Sequence, residues 1–393
     1  MDVTRKNTSV FVDGVFSRKE RKDRKAGGPT SVSATIDRSG WKRVRLGDVL
    51  QVCHGKCQHA IESKTGKYPI LATSGEIGRT DSYLYDKPSV LIGRKGTIDK
   101  PQYIDTPFWT IDTLFYTKIA EGYNPKFLFY LCITIDWASM NEASGVPSLS
   151  ANRIESLDVA IPDIDEQDKI ANAMSSIDKH ISTLDAFITK YEEIKKATVN
   201  LLLTPKSGWE RVKLGDVAVT SSGGTPNRSN EGYYQGTIPW FTTSELHDEV
   251  LYDSKEHISE EALQKTTAKV FPAGTLLLAM YGATIGKLGV LAKPAATNQA
   301  CCAIKCGSNV ETAFLFQVLI NRRQELVALG CGAGQPNISQ QIVQNLSLVL
   351  PPLSEQRKIA EKIIAIDNAL VDYKAQLEKA RQLKAGMMSY FFG

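Results

Sequence analysis

A chain of 393 residues is longer than one ordinary domain, and its 42% hydrophobic fraction suffices for packed cores in two or three globular units. The formal net charge of +4 sits wholly in residues 1–39, which hold nine Lys/Arg and five Asp/Glu, so the rest of the chain is neutral. A neutral body excludes an indiscriminate electrostatic binder of nucleic acid, whose affinity comes mainly from neutralised phosphates, while leaving room for a reader of base edges.

Taken in chain order, residues 1–39 include SRKERKDRKAGG at 17–28 and have no sustained apolar period, which predicts a basic, disordered arm. GWKRVRLGDV follows at 40–49 and returns as GWERVKLGDV at 208–217, 168 positions later with eight of ten letters identical. The segments after each copy, 50–143 and 218–331, read as strand-rich. Runs such as SVLIG (89–93), LFYTK (114–118), GTLLLAMYG (274–282) and KLGVLAK (287–293) are short, apolar and bounded by Gly, Pro and Asp. NPKFLFYLCITID (124–136) and ETAFLFQVLINRRQELVAL (311–329) read as helices that close each unit.

A second repeat pairs IPDIDEQDKIANAMSSID (161–178) with LPPLSEQRKIAEKIIAID (350–367) at an offset of 189. Asp165 and Ser354 are N-cap types, and the apolar residues behind them step by four and three. The seam runs through Ile170, Met174, Ile177, Ile181, Leu184 and Ile188 in the first copy and Ile359, Ile363, Ile366, Leu370, Tyr373 and Leu377 in the second, with Lys195 and Lys384 at one shared seam position. TPKSG (204–208) ends the first helix, which at about 37 residues would span ~55 Å. The second helix can bury its seam by returning along the first. The expected architecture is α+β: two globular domains separated by an antiparallel coiled coil of two long helices, with an internal pseudo-two-fold repeat.

Signals for chemistry are weak. Seven cysteines without framework spacing suit reduced thiols in a cytoplasm, and CHGKC (53–57) has no second Cys/His pair at a zinc-finger distance, so no metal is expected. GATIGKLG (282–289) misses the phosphate-binding loop, with three residues between the glycines and Leu288 after the lysine. The carboxylates of PDIDEQDK (162–169) are better explained by helix capping, because the second copy replaces Asp163, Asp165 and Asp168 by Pro352, Ser354 and Arg357. No Ser/His/Asp or Cys/His constellation emerges, so no catalytic residue is expected. Trp41, Trp109, Trp209 and Trp240 are expected in the core. No apolar run reaches the ~18 residues of a membrane span, which makes an intracellular, soluble chain the expectation.

The doubled order resembles the specificity subunit of type I restriction-modification systems over residues 40–393. The W-x-R-V-x-L-G-D-V opening at Trp41 and Trp209 and the E-Q-x-K-I-A helix start after Pro162 and Pro351 carry the resemblance. SSGGTPNRS (221–229) with IPWFTTSEL (238–246) adds to it, as do SGVPSLSANRIESL (144–157) and GAGQPNISQQIVQNL (332–346). The first copy departs from GGTP, having VCHGKCQHA at 52–60. The resemblance implies target-recognition domains at 40–160 and 208–349, and conserved helical regions at 161–207 and 350–393. It implies a non-catalytic subunit that reads a bipartite double-stranded DNA site and holds two methyltransferase subunits and ATP-dependent restriction subunits. S-adenosylmethionine, ATP and Mg would sit on those partners and none in this chain.

Base edges call for Arg or Lys at guanine and Asn or Gln at adenine on loops of close approach. The candidates in the first domain are Lys56, Ser74, Arg79, Arg94, Lys95, Ser148 and Ser150. In the second they are Thr225, Asn227, Arg228, Tyr233, Tyr234, Thr242, Thr243, Ser244, Tyr281, Gln335 and Asn337. Partner contacts are expected on the helices near Lys169, Glu192, Glu193, Lys358 and Lys374. The alternatives are a scaffold or anti-restriction adaptor of the same fold that does not read DNA, and a stand-alone nuclease, which the missing catalytic constellation disfavours.

Overall fold

The computed structural model describes residues 38–330 and 337–393, so Gln335 and residues 1–37 of the basic arm lie outside the described residues. Two helices of 40 residues, α4 (Ile164–Leu203) and α10 (Leu353–Phe392), follow the two E-Q sequences. They start earlier than Asp165 and Ser354. Gln167 N donates to Asp163 O (3.0 Å) and Gln356 N to Pro352 O (3.1 Å), which makes Asp163 and Pro352 the equivalent capping positions. At the first, the Asp163 carboxylate also accepts from Glu166 N at 2.9 Å. At the second, proline supplies only its carbonyl.

The described residues divide into two compact units. In the unit of residues 38–186 and 374–393, the opening strand β1 (Lys42–Arg45) pairs antiparallel with β9 (Asp158–Ile161), the strand that leads into α4, with Lys42 opposite Ile161. Between them lie a sheet of β2 (Leu50–Cys53), β8 (Leu114–Ile119), β5 (Ser89–Gly93) and β6 (Gln102–Ile104), in that order, and a second sheet of β4 (Gly75–Thr80), β3 (Tyr68–Ala72) and β7 (Trp109–Thr110). The L-G-D-V of the repeat forms the single turn α1 (Leu46–Val49), where Asp48 accepts from Arg45 N at 3.2 Å and Leu46 and Val49 are buried. A Cβ on Gly47 would lie 2.9 Å from Glu155 Cβ, so glycine lets this turn pack on α3 (Ala151–Glu155). Helix α2 (Pro125–Thr134) is capped by Asn124, whose side chain accepts from the Lys126 and Phe127 amides, and it buries Phe127, Leu128 and Leu131.

The unit of described residues 187–373 repeats this plan. Strand β10 (Glu210–Lys213) pairs with β20 (Ser347–Leu350), with Glu210 opposite Leu350, and α5 (Leu214–Val217) has Asp216 accepting from Lys213 N at 3.3 Å. One sheet runs β11 (Ala218–Ser222), β19 (Cys301–Cys306), β16 (Leu276–Ala279), β17 (Leu288–Leu291), β13 (Glu249–Leu251); another runs β14 (Glu256–Ile258), β12 (Ile238–Phe241), β18 (Ala295–Thr297), β15 (Val270–Phe271). The extra length of the second intervening segment includes α6 (Glu260–Lys265), capped by Ser259. The stretch 311–329 is two helices, α7 (Thr312–Asn321) and α8 (Arg323–Ala328), because Arg322 leaves helical geometry at ψ 15°. The short α9 (Gln340–Gln344) precedes β20. One apolar core joins Val199 of α4, Phe314 and Leu315 of α7, and Ile359, Ala360 and Ile363 of α10.

The tryptophan expectation needs correction. Trp240 is fully buried, but Trp41, Trp109 and Trp209 are half-buried. Trp41 packs edge-on against Phe127 and donates its indole N–H to Glu166 at 3.4 Å, and Trp109 donates to Lys56 O at 2.8 Å. Their polar edges find partners near the surface, where a fully enclosed indole would need a buried acceptor. Trp137, not singled out from sequence, is in the core and donates to Cys132 O at 2.8 Å.

Candidate nucleic-acid interface

The repeated glutamines hold each long helix to its globular unit. Gln167 is 1% exposed; its Oε1 accepts from Asn124 N (2.9 Å), the cap of α2, and its Nε2 donates to Pro162 O (2.9 Å). Gln356, also 1% exposed, accepts from Glu311 N (2.9 Å), the cap of α7, and donates to Asn309 O (3.0 Å) and Pro351 O (2.9 Å). A carboxamide can do this because it offers an acceptor and two donors on one planar group. Sequence reading found the E-Q repeat but gave the glutamine no role. Its signal was a polar residue kept in place between apolar seam positions.

Within each unit a stretch of α4 lies against a stretch of α10. In residues 187–373, Lys195 pairs with Asp367 at 2.6 Å, Phe187 and Tyr191 contact Tyr373, and Lys206 reaches Glu355 at 3.4 Å. In the other unit Lys384 pairs with Asp178 at 2.6 Å and Arg381 with Asp185 at 3.2 Å. Numbers rise on one helix as they fall on the other, so each pair of stretches is antiparallel. Lys195–Asp367 and Lys384–Asp178 are the same pair under the offset of 189, each made within its own unit. Of the seam residues, Ile170, Met174, Ile177, Leu184, Ile188, Ile359, Ile363, Leu370 and Leu377 are buried, and Ile181, Ile366 and Tyr373 are half-buried. Lys169, Glu192, Glu193, Lys358 and Lys374 are exposed. A cleft lined by Asp163, Asp165, Glu166, Lys169, Ile170, Ala173, Tyr390 and Phe391 adjoins the start of α4.

In the first unit, Arg94, Lys95, Ser148 and Ser150 come together beyond the end of β5. Lys95 forms an antiparallel bridge with Ser148, bracketed by Leu149 N→Arg94 O (3.0 Å) and Gly96 N→Pro147 O (2.9 Å). Arg94 donates to Asp112 O at 3.0 Å and Ser150 to Glu142 at 3.0 Å. Lys56 is exposed beside Trp109, on the loop after β2. Ser74 and Arg79 belong to the β3–β4 hairpin, where the Arg79 guanidinium is held by Glu76 (2.9 Å) and Gly66 O (3.3 Å).

In the second unit, Tyr281 bridges Asn337 beyond the end of β16, with Ile338 N donating to Met280 O at 2.8 Å. Thr225, Asn227, Arg228, Tyr233 and Tyr234 share the loop between β11 and β12. There Arg228 makes a two-pronged ion pair with Glu256 and lies over the rings of Tyr234 (4.4 Å) and Trp240 (5.2 Å). Its hydrogen bonds to Glu256 hold that carboxyl below the usual range. Tyr234 donates to Pro226 O at 2.7 Å, and Thr225 donates to Gln299. Thr242 and Ser244 bond one another at 2.8 Å in the turn after β12, where Glu245 also receives Thr242 N (2.9 Å); Thr243 lies between them.

Other groups close on themselves. Burial pushes the thiols of Cys132 and Cys302 up to about 12 and that of Cys306 to about 11, far from the thiolate state a nucleophile needs. In the loop that approaches a phosphate-binding sequence, Lys287 turns to Asp248 (3.4 Å), a residue at φ 64° whose carboxylate also receives Leu288 N (3.0 Å) and Arg323. Three of the four carboxylates of the acidic run at 163–168 are likewise engaged: Asp163 caps α4, Glu166 accepts from Trp41, and Asp168 accepts from Asn124 at 2.6 Å. Among the described residues no group of three His, Cys, Asp or Glu side chains is placed to hold a metal ion, and no helix is long and apolar enough to cross a membrane.

The profile of the type I restriction modification DNA specificity domain matches residues 38–196 and again 206–380. The MjaVIII specificity subunit of a type I restriction enzyme from Methanocaldococcus jannaschii is 24% identical, over 87% of this chain and 90% of its own. Among solved structures, the S subunit of a type I restriction-modification system from M. genitalium superposes with a TM-score of 0.64 at 15% identity, covering 90% of this chain and 96% of that one. The HsdS subunit from Thermoanaerobacter tengcongensis gives 0.50 at 18% identity, over 90% and 97%. At these identities the structures speak for the α+β fold.

Proposed function

The chain belongs to the type I restriction modification DNA specificity family, and from that premise we propose that it is the non-catalytic subunit that reads a bipartite DNA site for its complex. The observation that carries the reading is the doubled frame: the same opening strand, the same buried glutamine and the same Lys–Asp pair occur once in each unit. Residues 40–160 and 208–349 serve as recognition domains; residues 161–207 and 350–393 serve as the helical regions between them. The two long helices, each about 60 Å of helix, set the unread spacer between half-sites.

On this reading, the exposed residues Lys56, Ser74, Lys95, Asn227, Tyr281 and Asn337 and the half-buried Ser148 and Thr243 meet the duplex directly. Arg79, Arg94, Arg228 and Tyr234, already bonded within the fold, shape the loops that carry them. Two methyltransferase subunits dock on the helical regions, near Lys169, Glu192, Glu193, Lys358 and Lys374, and ATP-dependent restriction subunits join them. S-adenosylmethionine, ATP and Mg bind those partners, and the assembly works on cytoplasmic DNA.

The test is methyl transfer from labelled S-adenosylmethionine by the purified chain with its methyltransferase. Transfer confined to duplexes that share a two-part motif, with none by either protein alone, is the expected result. Assembly with transfer indifferent to sequence would point instead to a scaffold.

A further inference from the structure

The loops beyond β5 and β16 carry one device in two versions. Lys95 opposes Ser148, and Tyr281 opposes Asn337, which stands 189 positions after Ser148, the offset of the long-helix repeat. The bracketing bonds match: Leu149 N→Arg94 O (3.0 Å) in one and Ile338 N→Met280 O (2.8 Å) in the other. Each bridge is followed by a glycine in the left-handed region, Gly96 at φ 90° and Gly282 at φ 68°, where a side chain would be strained. Buried neighbours are kept in kind as well, with Leu149 and Ile98 in one copy and Ile338 and Ile285 in the other.

The bracketing pattern makes each a non-hydrogen-bonded antiparallel pair, in which the Cα atoms approach to ~4.5 Å and both side chains project from one face. Lys95 and Asn337 are exposed, Ser148 is half-buried, and Tyr281 is 44% exposed. The backbone is thus held constant while the two side chains it presents differ between copies. That is how one scaffold would be expected to carry two readings.

We propose that Lys95 with Ser148, and Tyr281 with Asn337, are equivalent base-reading pairs, each setting one position of its half-site: guanine for the first, adenine for the second. The chemistry follows the donors. A lysine ammonium suits guanine O6 and N7, and a carboxamide suits the N7 acceptor and N6 donor of adenine, with the neighbouring hydroxyl or ring fixing the approach. Arg228 and Arg79, whose guanidinium groups are engaged within the fold, are unsuited to this role.

The inference rests on the proposed function and is tested separately from it. Methylated motifs are mapped in cells carrying the methyltransferase with the wild-type chain, Lys95→Asn, Lys95→Ala or Asn337→Lys. Both Lys95 variants should lower selectivity for guanine at one position of one half-site by about tenfold to a hundredfold. Asn337→Lys should alter one position of the other half-site alone. An unchanged motif, or a uniform loss across all sites in complexes that still assemble, overturns the pairs as base readers. A wild-type complex that forms but yields no motif overturns the underlying function instead.

Discussion

Replacing Gln356 by methionine keeps length and volume while removing every polar atom beyond Cβ. Glu311 N–H then loses its acceptor, and the carbonyls of Pro351 and Asn309 lose their donor. An unpaired buried polar group costs about 1–3 kcal/mol. Asn309 is exposed and its carbonyl can turn to water, whereas Pro351 is buried and Glu311 half-buried. The expected loss is therefore about 2–4 kcal/mol, against about 0.5 kcal/mol or less for Lys358→Met on the exposed face of the same helix. Urea denaturation followed by tryptophan fluorescence and circular dichroism measures both. Gln356→Glu keeps an acceptor for Glu311 but faces two carbonyls with no N–H, so it should be destabilised too, increasingly as pH rises through the carboxylate range. If Gln356→Met shifts the midpoint no further than Lys358→Met, the glutamine is not the pin described.

Deleting one heptad from each of α4 and α10 shortens both by about 10 Å. If the helices set the spacer, this moves the preferred gap by about three base pairs or abolishes methylation, and an unchanged gap rejects the ruler. Native-state alkylation at pH 8 should label exposed Cys57 first and reach the buried thiols of Cys132 and Cys302 only on unfolding; early labelling of Cys302 would contradict its burial in the sheet. Glu256 has its carboxyl held low chiefly by hydrogen bonds from Arg228, so its contribution to stability is present above the ordinary glutamate value of about 4.3 and lost as pH falls through the lower folded value. The melting-temperature gap between wild type and Glu256→Gln should close over that acidic window, and a gap that persists below it would refute a stabilising Arg228–Glu256 ion pair.

Much of the frame was legible because it is written twice. The L-G-D-V turn needs a small residue against Glu155 and again beside Gln344, and the seam needs apolar residues at heptad spacing, so both leave periodic marks in the letters. The N-cap types Asp165 and Ser354 located the helix starts to within two residues. The capping residue itself was missed because Asp163 and Asp165 are chemically alike and two positions apart. The interface was less legible. Arg228 reads from sequence as a base-seeking cation, yet its partner Glu256 lies across a strand pairing that no local pattern announces. The kinship of Lys95 with Tyr281 was hidden for the opposite reason: the residues differ, and only the backbone bridge to Ser148 and Asn337 aligns them.

The central claim is that this chain confers sequence choice on a methyltransferase. Its most direct test is adenine-methylation mapping by single-molecule sequencing in cells that express the methyltransferase with this chain, against cells lacking only this chain. A two-part methylated motif with a fixed gap, present in the first and missing from the second, is the predicted result. Identical methylation in both, with the complex shown to form, would contradict it.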